Sequence, residues 1–253
     1  MSATQTKPEM SSLFMDFARY FELSIAQTPE QQSAVFAVRY SVYCEEFGYE
    51  DPQAFKDRLE TDDFDAHSTH CLVTHRASGM PAGCVRLVQA TERGLPLQGH
   101  CRGGLDEAFF ASMAQNRRQM AEISRLCVDG QFRRRRGEKK TRFGNTDTLH
   151  FEAREKRTFS LLAVSLFLAS AAVADLQRRP NCFAIMEPFL PAILKRTGVA
   201  VTRVGEDFDY NGTRAPYYLN IDEARHNAPD ELRLCLEVVT AQFEKEIPRE
   251  TGV

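Results

Sequence analysis

Residues 120–128 read Met-Ala-Glu-Ile-Ser-Arg-Leu-Cys-Val, a nine-residue run between Gln119 and Asp129. Its length and β-branched and aliphatic content read as a strand. Alternation places Glu122, Ser124 and Leu126 on one face and Ile123, Arg125 and Cys127 on the other. Charges on both faces of a central strand are costly unless each finds a partner. The strand therefore belongs in a sheet beside other polar residues that are equally out of place.

Working outward, Thr69–His75 and Gly83–Gln89 read as two strands joined by a turn at 77–82, with Arg86 set in the second. Thr28-Pro29-Glu30 is a helix start, with a capping hydroxyl, proline in the first turn and an acid beside it. That helix is expected to run to Gly48, with Val35, Val38 and Val42 on one face. A helix over 12–19 and a strand over 20–27 precede it. Downstream come a short helix over 104–114, an apolar helix from about Thr158 to Leu176, a strand over 181–186 and a helix over 188–196. Strands over 199–204 and 215–221 and a helix over 228–244 follow. The order predicts an α/β (α+β) fold, a mixed central sheet with helices on both faces. No repeat or Pro/Gly/Ser linker divides the 253 residues, so one domain over 1–253 is expected. It would carry an N-terminal helix and strand over 1–27 and a basic insertion loop over 133–157.

Composition removes several classes. The chain is 43% hydrophobic and 26% charged, with 14 Gly and 11 Pro, which excludes a disordered or collagen-like chain. The formal net charge of −3 argues against a surface built for nucleic acid. Leu161–Leu176 is the most apolar run but falls short of the roughly 20 residues of a membrane span. It reads as a buried helix. The seven cysteines form no Cys-x-x-Cys and the first ten residues lack a secretory core, so a reducing, cytoplasmic setting is expected. His67, His70 and His75 lack the spacing of a metal site, and no metal is expected.

Four polar clusters fall beside apolar elements: Arg39–Tyr43 with Phe47-Gly48-Tyr49, Glu60–Asp65, Arg86, and Glu122–Leu126. Arg39, Arg86 and Arg125 can partner Asp62, Asp65 and Glu122. Two readings follow: a structural ion-pair network beneath a loop, or a polar cleft holding a poised carboxylate.

This series of motifs, over residues 35–130, resembles the acyl-homoserine-lactone synthases, which are GNAT-like N-acyltransferases. The blocks Arg39–Glu50 and Glu122–Val128 are closer to the PEP-CTERM/exosortase system-associated acyltransferases and the N-acyl amino acid synthases. The resemblance implies a sheet splayed where its fourth and fifth strands part to admit an acyl-pantetheine thioester, which a free amine attacks. It places the family's polar set on Arg39, Asp62, Asp65, Arg86, Glu122 and Arg125. Tyr49 stands where the lactone synthases have Trp, and Tyr43 where they have Phe.

The chemistry suits these residue types. An ammonium must lose a proton before it can attack, which makes Glu122 the candidate base. A backbone N–H near Leu126, Cys127 and Val128 can stabilise the oxyanion. Ser124 can orient the amine or protonate the leaving thiolate, or simply pack. Arg39 with Asp62 and Asp65 can clamp an amino acid's carboxylate and amine. Arg133, Arg134, Arg135, Arg136 and Gly137 open a basic loop that fits the first half of the GNAT phosphate cradle, with Lys139 at the small-residue position. Such a loop also suits docking of an acidic acyl-carrier protein, so the donor is expected to be acyl-ACP or acyl-CoA. The expected reaction is transfer of a fatty acyl group to an amine, with a lactone signal synthase or a silent acyl- or carrier-binding module as alternatives. The helix over 161–176 can wall an acyl tunnel or serve as ordinary core.

Overall fold

The computed structural model describes residues 10–101, 103–133, 158–196, 198–247 and 249. A single eight-stranded sheet organises them. Helix α1 (Met10–Tyr20) leads into edge strand β1 (Phe21–Ile25). Helix α2 (Pro29–Arg39) follows, capped as expected by the Thr28 hydroxyl, with the Gln31 side chain completing a capping box. It does not continue to Gly48 as an α-helix. Tyr40–Glu46 widen into π-helical turns closed by Phe47 N–H to the Val42 carbonyl, and Gly48 ends them at φ +64°.

Strands β2 (Ser68–His75), β3 (Pro81–Gln89) and β4 (Met120–Val128) form an antiparallel meander beside β1. Between β3 and β4 lie α3 (Pro96–His100), which the sequence pattern did not reveal, and α4 (Glu107–Met113). The short helix α5 (Gly130–Arg133) follows β4. The apolar helix α6 (Leu162–Leu176) precedes β5 (Asn181–Met186), which pairs parallel to β4. Helix α7 (Leu190–Arg196), the short strands β6 (Thr202–Arg203) and β7 (Phe208–Asp209), and β8 (Thr213–Asn220) come next. The expected terminal helix is α9 (Asp230–Phe243), and an unexpected helix, α8 (Ile221–Asn227), precedes it, parted from it at Ala228-Pro229.

Strand alternation sorts the core onto both sheet faces. Cys71, Val73, Val85 and Leu87 pack with α6 and α9, while Leu72, Cys84 and Cys127 pack under Val35 and Val38 of α2. Eleven of the fifteen α6 residues are buried, and its buried apolar side chains belong to the largest core cluster. Ser165 and Ser170 stay satisfied there by donating to the Leu162 and Phe167 carbonyls. Gly83 permits the close approach: a Cβ there would lie 2.7 Å from the Cys127 carbonyl oxygen and 3.1 Å from Leu166 Cδ1. A third cluster, with Leu97, Cys101 and Phe183, fills the α3–α4 end. Among the described residues no helix is long and apolar enough to cross a membrane.

Two irregularities shape the centre of the sheet. Parallel pairing of β4 with β5 covers only Met120–Glu122 against Asn181–Phe183, while β5 stays paired to β8 through Met186. The sheet therefore opens beyond Glu122. On the other edge of β4, Arg86 faces Ser124 but Cys84 faces Cys127, so β4 carries one extra residue, a β-bulge. Arg125, within it, has φ +51°.

Candidate active site

The bulge corrects the simple alternation. Past Ser124 the phase of the strand flips, and Cys127 joins the face of Glu122 and Ser124 instead of that of Ile123. Arg125 is thereby turned toward the same polar side as Arg86. Three guanidiniums meet there with the carboxylates of Glu60, Asp62 and Asp65, and Glu50 joins at the rim.

Arg39, at the end of α2, is fully buried. Its Nε pairs with Glu60 and its Nη1 with Asp65 Oδ1 at 2.6 Å. Arg86 Nη1 lies 2.5 Å from Asp62 Oδ1 and 2.7 Å from Asp65 Oδ1, and its Nε donates to Ser124 Oγ at 3.1 Å. Arg125 Nη2 reaches Glu60 Oε1 at 3.1 Å, Glu50 Oε1 at 3.4 Å and Asp62 Oδ2 at 3.5 Å. Burial alone would raise the carboxyls of Asp62 and Asp65, but the arginines reverse it and hold both below the usual carboxylate range. His70 faces Asp65 at 3.7 Å, and burial pushes its pKa down to about 4.

The expected arginine–carboxylate set is thus brought together, with two changes of partner. Glu60 is the carboxylate that sequence reasoning left out of the site. The signal for it is the spacing Glu-x-Asp-x-x-Asp in an otherwise irregular loop. Glu122, by contrast, pairs with no arginine among the described residues. It is 2% exposed, and its Oε2 accepts the Leu97 backbone N–H at 2.8 Å, from the first turn of α3. Burial pushes its pKa up to about 7, against the opposing influence of that N–H and of Arg86 and Arg125. Arg39 is fully buried, its Nε and Nη1 are engaged by Glu60 and Asp65, and it is not among the residues lining the cleft above the network.

Above this network opens a cleft of about 970 Å³, lined among others by Tyr49, Asp62, Phe64, His100, Arg125 and Tyr210. Glu122, buried, is not among its lining residues. Two of its lining residues, Arg125 and Tyr49, belong to a ladder of rings and cations. Arg125 sits over Tyr43 at 5.4 Å, Tyr43 neighbours Tyr49 at 6.5 Å, Tyr49 stacks on Phe47 at 5.1 Å, and Arg133 covers Phe47 at 4.9 Å. The Tyr43 hydroxyl donates to the Leu126 carbonyl in the bulge at 3.3 Å. Leu126 exposes its side chain, while Cys127 and Val128 are buried. Arg133 turns back onto the protein, pairing with Glu46 and donating to the Val128 carbonyl at 2.6 Å. Arg134, Arg135, Arg136 and Gly137 lie outside the described residues.

All seven cysteines are buried free thiols, with Cys84 and Cys127 Sγ atoms 3.5 Å apart. Among the described residues no three His, Cys, Asp or Glu side chains group as metal ligands would.

Residues 38–141 match the acetyltransferase (GNAT) domain family. No curated protein matches the sequence. Solved structures do. TofI, crystallised in a ternary complex with an inhibitor and MTA, is 17% identical with a TM-score of 0.57, over 88% of this chain and 98% of that one. BjaI, a CoA-dependent acyl-homoserine lactone synthase, is 16% identical with a TM-score of 0.55, over 87% and 89%. FeeM, an N-acyl amino acid synthase from uncultured soil microbes, is 14% identical with a TM-score of 0.50, over 82% and 94%. At these identities the likeness is one of architecture: the eight-stranded mixed sheet with helices on both faces is the GNAT-like acyltransferase fold, and residues 38–141 carry its acetyltransferase domain signature.

Proposed function

We propose that this chain is an N-acyltransferase that moves a fatty acyl group from a phosphopantetheine thioester, on acyl-carrier protein or coenzyme A, to the amine of an amino acid. One observation carries the reading. A buried carboxyl titrating near neutrality, Glu122, stands at the residue where β4 and β5 cease to pair. A base of that strength can take a proton from an ammonium and hand it on.

In this reading the thioester enters the gap between β4 and β5 and the amine approaches from the cleft. Glu122 removes the ammonium proton, directly or across one water. The amine nitrogen attacks the thioester carbonyl, and a β4 backbone N–H in the Leu126–Val128 segment stabilises the oxyanion. The tetrahedral nitrogen, still carrying two protons, loses one to solvent as the species expels the pantetheine thiolate, which is reprotonated by Glu122 or through Ser124, leaving an amide, a free thiol and one released proton. Ser124 Oγ already accepts from Arg86, so its own proton is free to point elsewhere. In this reading Arg125, which lines the cleft, holds the substrate carboxylate, and buried Arg39 supports it from below. Tyr43 and Tyr49 shape the acceptor side, and Asp62 and Asp65 are held ionised beneath it.

The resemblance of the blocks Arg39–Glu50 and Glu122–Val128 supports, in this reading, a place beside the exosortase-associated acyltransferases. Thiol release from acyl-ACP and acyl-CoA with a panel of amines tests the activity. Mass spectrometry of the product separates an N-acyl amino acid from a lactone. Donor binding without thiol release for any amine would instead indicate a silent acyl-binding module.

A further inference from the structure

Glu60 is nearly inaccessible, at 1% exposure, and makes no contact with the cleft, yet it joins two elements of the site. Its Oε2 pairs with Arg39 Nε at the end of α2. Its Oε1 accepts from Arg125 Nη2 at 3.1 Å and Nε at 3.3 Å on β4. Its own backbone N–H is tied to the Phe36 carbonyl at 3.1 Å, so the carboxylate is carried by α2 and not by a free loop. At the far end of this link stands a strained residue. Among the described residues four non-glycines have positive φ, Arg58, Arg125, Arg178 and Asn211, and of these Arg125 alone lies inside a strand. Such a conformation persists in a large side chain only where its surroundings hold it.

We propose that Glu60 is the positioning residue of the site: by bridging Arg39 and Arg125 it holds Arg125 in the left-handed bulge of β4, and so fixes the β4 backbone that faces the gap to β5. Two further contacts converge on the same bulge. The Arg125 guanidinium lies over the Tyr43 ring, and the Tyr43 hydroxyl holds the Leu126 carbonyl. Glu60 is the anchor among them, because its carboxylate gives the bulge a charged tie to the fixed end of α2. A neutral amide in its place can satisfy one arginine but not charge-balance both. Arg125 would then keep only its longer contacts, to Glu50 at 3.4 Å and Asp62 at 3.5 Å, neither of which ties it to α2. The effect on turnover rests on the acyl-transfer reading above; the effect on the bulge does not.

The test uses the full chain without substrates and follows hydrogen exchange of the amides of residues 124–127. Glu60→Gln should speed exchange there by about tenfold or more, while the amides of 71–73 in β2 keep their rates. In an Arg125→Gly background the same substitution should change little, because glycine adopts φ +51° without a holder. If Glu60→Gln does not fold, Arg125→Ala and Arg125→Gly cut the link from the other end, and the alanine variant should exchange faster in β4. In turnover, Glu60→Gln should lower kcat by about 100-fold with the donor KM nearly unchanged, as expected for a displaced reacting geometry. Unchanged β4 exchange in a folded Glu60→Gln protein, or equal changes in the wild-type and Arg125→Gly backgrounds, would overturn the proposal. A wild-type protein that releases no thiol would overturn the acyl-transfer reading and leave the exchange result to decide the role of Glu60.

Discussion

The carboxyl of Glu122 accepts the Leu97 backbone N–H at 2.8 Å, so a short helix absent from the sequence pattern holds the candidate base. The first N–H groups of a helix have no partner within it, and here one of them is aimed at a carboxyl. The bond eases ionisation, but burial outweighs it and leaves the pKa at about 7.

The first prediction concerns stability against pH. The folded pKa of Glu122 is raised from its usual 4.5. Its contribution is therefore fully present below about pH 4.5 and is lost as pH rises through 7, at a cost of about 3 kcal/mol. Glu122→Gln, which resembles the protonated form, should match wild type in urea midpoint near pH 4 and exceed it by a margin that grows toward about pH 8. A pH-independent difference would contradict the assignment.

Arg39→Gln should destabilise the protein by about 3–5 kcal/mol, because Glu60 and Asp65 would lose a partner that is itself fully buried. Arg233→Gln, which breaks an exposed pair with Asp230 on α9, should cost less than about 1 kcal/mol. Urea titrations of both variants check the contrast.

Tyr49 stands in the cleft wall between Tyr43 and Phe47. Tyr49→Ala should raise the acceptor KM about tenfold with little change in that of the donor, since the lost contact serves ground-state binding. The reverse pattern would move Tyr49 to the thioester side.

Much of this was legible in the sequence. Thr28-Pro29 marked the start of α2, the apolar run marked α6, and the charges of Arg39, Arg86 and Arg125 announced a polar centre because each stood among apolar neighbours. What escaped was whatever depends on a single inserted residue or on long-range pairing. Alternation cannot show the bulge at Arg125, since one extra residue changes the face of everything after it. Glu60 escaped for a related reason: only the folded chain brings it between α2 and β4. α3 and β7, five and two residues long, are too short to leave a periodic pattern.

Arg133, tied to Glu46 and the Val128 carbonyl, anchors the start of the basic stretch. Replacing Arg134, Arg135 and Arg136 by Ser should raise the apparent KM for a carrier-bound donor several-fold at low salt, with the difference shrinking as salt screens the charges. An unchanged KM would remove the loop from donor docking.

The central claim is that Glu122 is the base. Its most direct test is the rate of thiol release by wild type and Glu122→Gln across about pH 5.5–9, which spans the pKa of about 7, with saturating donor and amine. The account predicts a wild-type rate that climbs through about pH 7 to a plateau, and a variant slowed by about 100-fold or more that lacks this limb. A Glu122→Gln enzyme with the wild-type rate and the same limb would contradict it.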